Sequence, residues 1–194
     1  MDGAAGERFR GTAHSRGPHS PARQGGERVK YWHLCSASLR QIVLAAHGIA
    51  LHRGSEAIDP EHLMLAMLRL DRCTGCRLLG ELGVDIQTLG AALRAEADGA
   101  LPILPAEGGP GDVRFSAAAE RVMQATWLEA RRAWARQAGG PGAGRVGSAH
   151  LLLGITNPAS GIQLRALRTH GVFHGELADR VRRHEAPPGS READ

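Results

Sequence analysis

The sequence predicts an all-α protein that contains two homologous units of four helices each. Apolar residues recur at the spacing of a helix face between Gly- and Pro-rich breaks, and no segment alternates as a strand would. The chain has only three Phe, three Trp and one Tyr, so its core is built mainly from aliphatic side chains, which suits packed helices. Similar segments also recur 80 to 88 residues apart, which indicates a duplicated unit.

The first two predicted helices each follow a polar residue that suits a helix N-cap. Ser36 precedes an amphipathic run whose apolar face consists of Leu39, Ile42, Val43, Ala46 and Ala50. Asp59 precedes Pro60, and proline is favoured at the first position of a helix. The stretch from Leu63 to Leu68 is apolar throughout, so the second helix is predicted to be buried.

The next two predicted helices are separated by a glycine. Leu78, Leu79 and Leu82 form the apolar face of the third helix, and Gly83 is its predicted C-terminal cap. Asp85 is the predicted cap of the fourth helix, whose apolar positions are Ile86, Leu89, Leu93 and Ala97.

The second unit repeats this pattern with one insertion. Ser116 precedes a helix face that repeats the first one at an offset of 80 residues, with Ala119, Val122, Met123 and Ala130. The segment that begins at His62 recurs at His150, and the segment that begins at Glu81 recurs at Thr169, both at an offset of 88. The offset grows by eight where the Gly-rich stretch 139–144 lies, so the second unit is predicted to carry a loop insertion there.

The breaks between patterned segments predict the domain organisation. The ends of the chain are polar and rich in glycine, proline and arginine, and such segments bury too little apolar surface to become ordered. In chain order we expect a disordered basic tail at 1–30, a first repeat at 31–100, a linker at 101–112, a second repeat at 113–184 with the insertion near 137–145, and a disordered tail at 185–194.

Composition excludes several classes of function. The chain has a single lysine, Lys30, which no glycine loop precedes, so it contains no Walker A motif. Its longest uncharged apolar run has six residues, far below the approximately 20 of a membrane-spanning helix. The basic excess lies in the tails, and residues 31–179 carry fourteen basic and fourteen acidic side chains. This neutral balance argues against a nucleic-acid-binding surface on the folded part.

The amino terminus and the cysteine count predict a cytoplasmic location. Met1, Asp2 and Gly3 do not form the basic segment that opens a signal peptide, and no apolar segment follows them. Three cysteines, an odd number, fit a reducing compartment better than a disulfide scaffold.

The repeated unit resembles the Clp amino-terminal repeat. That family opens each unit with F-T-x-x-A and continues through an amphipathic helix to I-G-T-E-H-[IL]-L-L-G-L. The second unit reads F-S-A-A-A at 115–119 and V-G-S-A-H-L-L-L-G-I at 146–155, and the first reads C-S-A-S-L at 35–39 and I-D-P-E-H-L-M-L at 58–65. The resemblance covers roughly residues 31–184 and implies a compact all-helical domain in which the two repeats pack with pseudo-twofold symmetry.

The resemblance implies a binding function and no catalysis. In the family, the domain stands at the front of an ATP-driven unfoldase and receives substrates and adaptors. In ClpC-type unfoldases it also binds phosphoarginine and cyclic-peptide antibiotics. We therefore expect a standalone, non-enzymatic front domain that binds Clp substrates or sequesters cyclic-peptide antibiotics, without cofactor or metal. The alternatives are an adaptor or accessory subunit that binds Clp unfoldase or peptidase subunits, and a nucleic-acid-associated regulator that uses the Arg-rich tail.

The family places its peptide-binding groove beside aromatic residues at the starts of the two units. Phe115 matches that position, and Trp32 lies three residues before Cys35. The other groove positions implied by the resemblance lie on the first helix of each unit and are Arg40, Leu44, His47, Glu120 and Gln124. The alternative is that Phe115 belongs to the core and that Tyr31 and Trp32 pack the tail against it.

The T-E-H motif supplies one weaker candidate site and two structural residues. Glu61 occupies the position whose carboxylate can meet the guanidinium of phosphoarginine, but Ala149 replaces it in the second unit. The alternative for Glu61 is an acidic residue that stabilises the first turn of its helix. His62 and His150 are expected to satisfy backbone groups at the helix starts rather than to bind metal.

Cys73 and Cys76 form a C-x-x-C pair. A redox or zinc role needs an activating environment or a second pair, and only Cys35 remains elsewhere in the chain. We therefore expect both cysteines to be small packing residues and keep reversible oxidation as the alternative.

Overall fold

The computed structural model describes residues 32–96, 114–136, 144–162 and 164–185. Within these ranges the chain forms eight α-helices, two short 3-10 turns and no strand. The four helices of the first unit are α1 (Ala37–His52), α2 (Pro60–Arg69), α3 (Thr74–Glu81) and α4 (Ile86–Glu96). Those of the second unit are α5 (Ala117–Arg136), α6 (Ser148–Thr156), α7 (Arg165–Thr169) and α8 (His174–Glu185). The all-α class and the pair of four-helix units are thus confirmed.

The predicted helix caps are found where the sequence placed them. The Ser36 hydroxyl accepts a hydrogen bond from the Leu39 N–H at 3.2 Å, and Ser116 accepts one from Ala119 at the same distance. Asp85 accepts a hydrogen bond from the Gln87 N–H at 3.0 Å before α4. Local sequence therefore determines where these helices begin.

Two central helices, α2 and α6, form the middle of the molecule. Both α1 and α5 pack against this pair, which explains why α2 and α6 carry apolar side chains on every face. Every residue from His62 to Leu68 is buried in α2, and every residue from Ser148 to Ile155 is buried in α6.

The two units are joined by a pair of crossed backbone contacts. Just before α1, the Ser36 N–H donates to the Val146 carbonyl and the Val146 N–H donates to the Leu34 carbonyl, both at 2.9 Å. Just before α5, the Ser116 N–H donates to the Ile58 carbonyl at 3.0 Å, and the Ile58 N–H donates to the Arg114 carbonyl at 2.8 Å. In each unit, the segment that precedes the first helix pairs with the segment that precedes the second helix of the other unit. Pseudo-twofold symmetry requires this exchange.

The predicted linker and amino-terminal tail lie outside the described residues, as do positions 137–143 of the predicted insertion and all of the carboxy-terminal tail after Glu185. Glu185 itself belongs to α8, one residue beyond the predicted end of the second repeat. Among the described helices, none is both long enough and apolar enough to cross a membrane.

Candidate functional site

The aromatic residues predicted to flank a groove lie at the entries to α1 and α5. Trp32 lies in the 3-10 turn Trp32–Leu34. Phe115 lies in the backbone pairing with Ile58 that precedes α5. Both side chains are half-buried and pack against the edge of the core. The repeat makes Cys35, which is fully buried, the counterpart of Phe115. Trp32 and Phe115 are therefore both at unit entries, but they are not equivalent positions.

On α1, the predicted positions Arg40, Leu44 and His47 share one helix face and are all half-buried. The Arg40 guanidinium bends back over the start of its own unit, where Nε donates to the Cys35 carbonyl at 3.1 Å and Nη2 donates to the His33 carbonyl at 3.4 Å. Arg40 thus holds the turn that presents Trp32. The His47 Nδ1 is buried and has no hydrogen-bond partner within the described ranges.

On α5, the predicted positions Glu120 and Gln124 are exposed and lie one turn apart. Glu120 lies in the first turn of the helix, where its negative charge interacts favourably with the helix dipole. The peptide-binding role of the residues on the two helix faces remains a prediction, since the cavities described below are lined by other residues.

Two exposed leucines continue these faces and were missed by sequence reasoning. Leu51 follows Leu44 and His47 on the α1 face and is 58 % exposed, and Leu128 follows Gln124 on the α5 face and is 49 % exposed. Extending the helical spacing by one turn beyond the predicted residues would have found both. Each first helix therefore presents an exposed apolar side chain on a polar or mixed face.

The two motif histidines hold the starts of the central helices. The His62 Nδ1 accepts a hydrogen bond from the Asp59 N–H at 3.0 Å, and the His150 Nδ1 accepts one from the Gly147 N–H at 3.1 Å. The expected structural role is thereby confirmed. Burial lowers the pKa of His62, although the Asp59 carboxylate partly opposes this shift. The neutral ring that accepts the hydrogen bond is therefore the favoured form.

The weaker candidate Glu61 is half-buried in the first turn of α2. Its counterpart Ala149 lies on a cavity of about 240 Å³, the junction cavity, which forms where the entry to α1, the starts of α3 and α6, and the end of α8 meet. Its polar wall includes Ser36, Ser38, Thr74, Arg145, Ser148, His184 and Glu185. Glu185 also lies 2.9 Å from His150, measured from its Oε1 to Nε2. The second unit thus has a carboxylate beside this cavity, but it comes from α8.

A second cavity, of about 130 Å³, is lined by both acidic and basic side chains of α5 and α8. Its wall includes Glu129, which is only 8 % exposed. The Glu129 carboxylate accepts hydrogen bonds from the Arg132 guanidinium at 2.8 Å and the Asn157 amide at 2.9 Å. These bonds compensate for burial of the charge and tie α5 to the turn after α6. We interpret this cluster as structural.

The C-x-x-C cysteines are buried at the start of α3, as the packing interpretation predicts. Cys73 is the N-cap residue and is 7 % exposed, whereas Cys76 lies within the first turn and is 0 % exposed. Both are free thiols. Across the described ranges, no cluster of three or more His, Cys, Asp or Glu side chains could hold a metal ion.

The fold and this site together define a double-repeat helical interaction module. The model for the Clp repeat (R) N-terminal domain matches residues 34–138, which is more than half of the chain. The chain therefore belongs to the Clp repeat N-terminal domain family. The match spans the first unit and the first helix of the second, while the second histidine motif lies beyond it. Domains of this family are generally non-catalytic protein-interaction modules of Clp ATPases.

Solved structures of Clp front domains share the fold. The N-terminal domain of the ClpV1 ATPase from the E. coli EAEC Sci1 type VI secretion system is 16 % identical, with a TM-score of 0.58, over 80 % of this chain and 91 % of that one. The N-domain of ClpV from Vibrio cholerae is 17 % identical, with a TM-score of 0.58, over 79 % and 86 %.

A plant front domain is similar in the same way. The N-terminal domain of the chaperone ClpD from Arabidopsis thaliana is 18 % identical, with a TM-score of 0.54, over 80 % of this chain and 97 % of that one. At these identities the likeness concerns the fold alone. No curated protein matches the chain.

Proposed function

We propose that this chain is a peptide- and protein-binding module of the Clp proteolysis system that receives Clp substrates or sequesters cyclic-peptide antibiotics. Sequestration lowers the free concentration of the peptide by mass action and needs no chemical step. The proposal includes a cytoplasmic location for the protein.

One observation carries the proposal: both unit entries present half-buried aromatic residues, and the first helix of each unit carries an exposed leucine. Trp32 and Phe115 each pack against the core and keep part of their surface open to solvent. Leu51 near the end of α1 and Leu128 in the second half of α5 add apolar surface. Aromatic anchors surrounded by smaller apolar and polar groups are typical of surfaces that bind peptides.

Calorimetric titration with a cyclic-peptide antibiotic of the class that docks on ClpC front domains tests this proposal. We expect the full chain to bind, and we expect Phe115→Ala to weaken binding at least tenfold, because removal of an aromatic anchor costs about 2 kcal/mol or more. Phe173→Ala is the matched control, since Phe173 is 57 % exposed and lies between α7 and α8, away from both unit entries.

Circular dichroism of both variants establishes that the fold is retained. Equal loss of binding in the Phe115 and Phe173 variants would contradict the assignment of the surface. A wild-type protein that does not bind the peptide would refute antibiotic sequestration.

The alternative is an adaptor or accessory subunit, and the exposed leucines favour it. When a protein partner covers an exposed leucine, the apolar side chain leaves water, and this burial stabilises the complex. Titration of purified Clp unfoldase and Clp peptidase into the chain tests this alternative. Binding lost in Leu51→Ser and Leu128→Ser, with the peptide affinity unchanged, would assign these leucines to a partner interface. Absence of binding to either Clp component would refute it.

A further inference from the structure

The start of α3 holds two thiols in contact with each other. The Sγ atoms of Cys73 and Cys76 lie 3.5 Å apart, within hydrogen-bond distance for sulfur. The two residues are three apart on the same turn, with Cys73 at the N-cap and Cys76 in the first turn of the helix. A disulfide holds its two sulfurs about 2.05 Å apart, so oxidation would join two atoms that already lie in contact.

The surroundings of the pair distinguish the two sulfurs. The neighbouring Cys76 thiol lowers the pKa of Cys73, and the backbone N–H of Cys76, the Ser148 hydroxyl and the backbone N–H of Gly75 lower it further. Together they outweigh burial, which raises it. The pKa of Cys76 is raised by the Cys73 sulfur first and by burial second. Of the two thiols, Cys73 is therefore the one whose ionisation is favoured.

Ser148, a residue of the second unit, also belongs to the surroundings of the cysteine pair. It lies at the first position of α6, and its hydroxyl accepts a hydrogen bond from the Gly75 N–H at 3.0 Å. The same hydroxyl is one of the groups that lower the pKa of Cys73. The first turn of α3 is tightly packed here, because a Cβ on Gly75 would lie 2.7 Å from the Met67 sulfur and 3.1 Å from the Ser148 carbonyl oxygen. Residues of both units therefore surround Cys73.

Cys73 lies closer to solvent than Cys76. Thr74, which follows Cys73, and Ser148 of the second unit both line the junction cavity of about 240 Å³. Both cysteines are buried, but Cys73 is 7 % exposed and Cys76 is 0 % exposed. Of the two sulfurs, Cys73 is therefore the one that a small disulfide would meet first, and thiol–disulfide exchange needs one attacking and one resolving thiol.

We propose that Cys73 and Cys76 form a reversible redox pair that is oxidised by low-molecular-weight disulfides. The Cys73 thiolate attacks one sulfur of the small disulfide, whose S–S bond breaks to release one thiolate and leave a mixed disulfide on Cys73. The Cys76 thiol gives its proton to the released thiolate, and the Cys76 sulfur then attacks Cys73 and displaces the second small thiolate, which takes a proton from solvent. Overall, the two cysteines lose two electrons and the small disulfide gains them, becoming two thiols.

Oxidised glutathione in defined ratio to reduced glutathione is the probe, added to the full chain and followed by intact mass and peptide mapping without reductant. We expect a loss of two hydrogen atoms, a linkage between Cys73 and Cys76, and full reversal by excess reduced glutathione. Linkage through Cys35, or no linkage at any glutathione ratio, would overturn the proposal.

Single substitutions test the order of the two steps. Cys76→Ser leaves the attacking sulfur without its partner, so a glutathione adduct should accumulate on residue 73. In Cys73→Ser the remaining Cys76 is buried, so its adduct should form at least tenfold more slowly. Equal rates in the two variants would contradict the assignment, and Cys35→Ser is the control that should leave disulfide formation unchanged.

A measurement on the wild-type chain tests the proposed roles even if either variant does not fold. Brief alkylation with iodoacetamide under native conditions, followed by mapping, should modify Cys73 before Cys76 and Cys35. Modification in any other order would refute the proposed roles.

Discussion

His62 and His150 show how one side chain can secure the start of a buried helix. Each ring accepts a hydrogen bond from the backbone N–H three residues earlier, at 3.0 and 3.1 Å. That N–H lies at the N-cap, where the helix itself offers no partner. The same geometry in both units explains why the sequence places histidine at equivalent positions 88 residues apart.

The lowered pKa of His62 predicts a loss of stability in mild acid. Because the folded state favours the neutral ring, the unfolded chain binds a proton first as the pH falls below 6.5, the ordinary pKa of histidine. The stabilisation is therefore fully present above pH 6.5 and decreases as the pH falls through the lower folded pKa. Urea unfolding measured between neutral and mildly acidic pH checks this dependence.

His62→Gln is the matched variant for that measurement. Glutamine at the third helical position can still accept the hydrogen bond from the N-cap N–H, but it does not titrate. We expect this variant to show a smaller loss of stability than the wild type over the same pH interval. An unchanged pH dependence would show that another group is responsible.

At the scale of elements, the closest helix packing occurs between α5 and α6. A Cβ on Gly154 of α6 would lie 2.7 Å from the Val122 carbonyl oxygen and 2.8 Å from the Thr126 backbone nitrogen, both on α5. Thr126 is itself fixed, since its hydroxyl donates to the Val122 carbonyl at 2.8 Å. These are backbone contacts, so a side chain at position 154 cannot be accommodated without separating the helices.

We therefore expect Gly154→Ala to lower the free energy of unfolding by about 1–3 kcal/mol, the usual cost of overpacking. Gly80→Ala is the matched control, because Gly80 lies on the exposed side of α3 and a Cβ there meets nothing within 4 Å. The control should leave stability unchanged or raise it by up to about 1 kcal/mol, since alanine favours a helix more than glycine does. Equal effects of the two substitutions in chemical denaturation would contradict this explanation.

At the scale of the whole molecule, the two units complete each other's backbone pairing and share one core. The entry to α1 pairs with Val146, the entry to α5 pairs with Ile58, and α2 and α6 pack against each other and against the first helices of both units. The hydrophobic cluster is continuous across both units. Each central helix therefore buries part of its surface against the other unit.

We expect the full chain to unfold in a single transition and the isolated halves to remain largely unfolded. Fragments 1–112 and 113–194 divide the chain at the predicted linker and can be prepared separately. Far-ultraviolet circular dichroism should show little helix in each fragment and recovery of helix when the two are mixed in equal amounts. A cooperative transition in fragment 1–112 alone, at the midpoint of the full chain, would disprove the interdependence.

The starts of helices and the duplicated architecture could be predicted from sequence because their causes are local. Ser36, Asp85 and Ser116 cap the helices that follow them, and the apolar spacing after each cap specifies the buried face. The burial of Cys73 and Cys76 was expected on other grounds, because only Cys35 remains elsewhere in the chain to build a redox or zinc site with them. What the candidate groove binds stays a prediction, although its aromatic residues lie at the unit entries as expected.

Only the tertiary structure could assign roles that depend on distant residues. The Ser148 hydroxyl accepts a hydrogen bond from Gly75, which precedes it by 73 residues and lies between the two cysteines, and this hydroxyl is one of the groups that lower the pKa of Cys73. The Arg40 guanidinium bends back onto the backbone of its own turn, and the exposure of Leu51 and Leu128 depends on which helix faces α2 and α6 cover. The sequence by itself therefore determined the helices, their caps and their duplication. The packing of the two units decided which of these side chains face solvent and which face each other, because those contacts join segments that no local pattern relates.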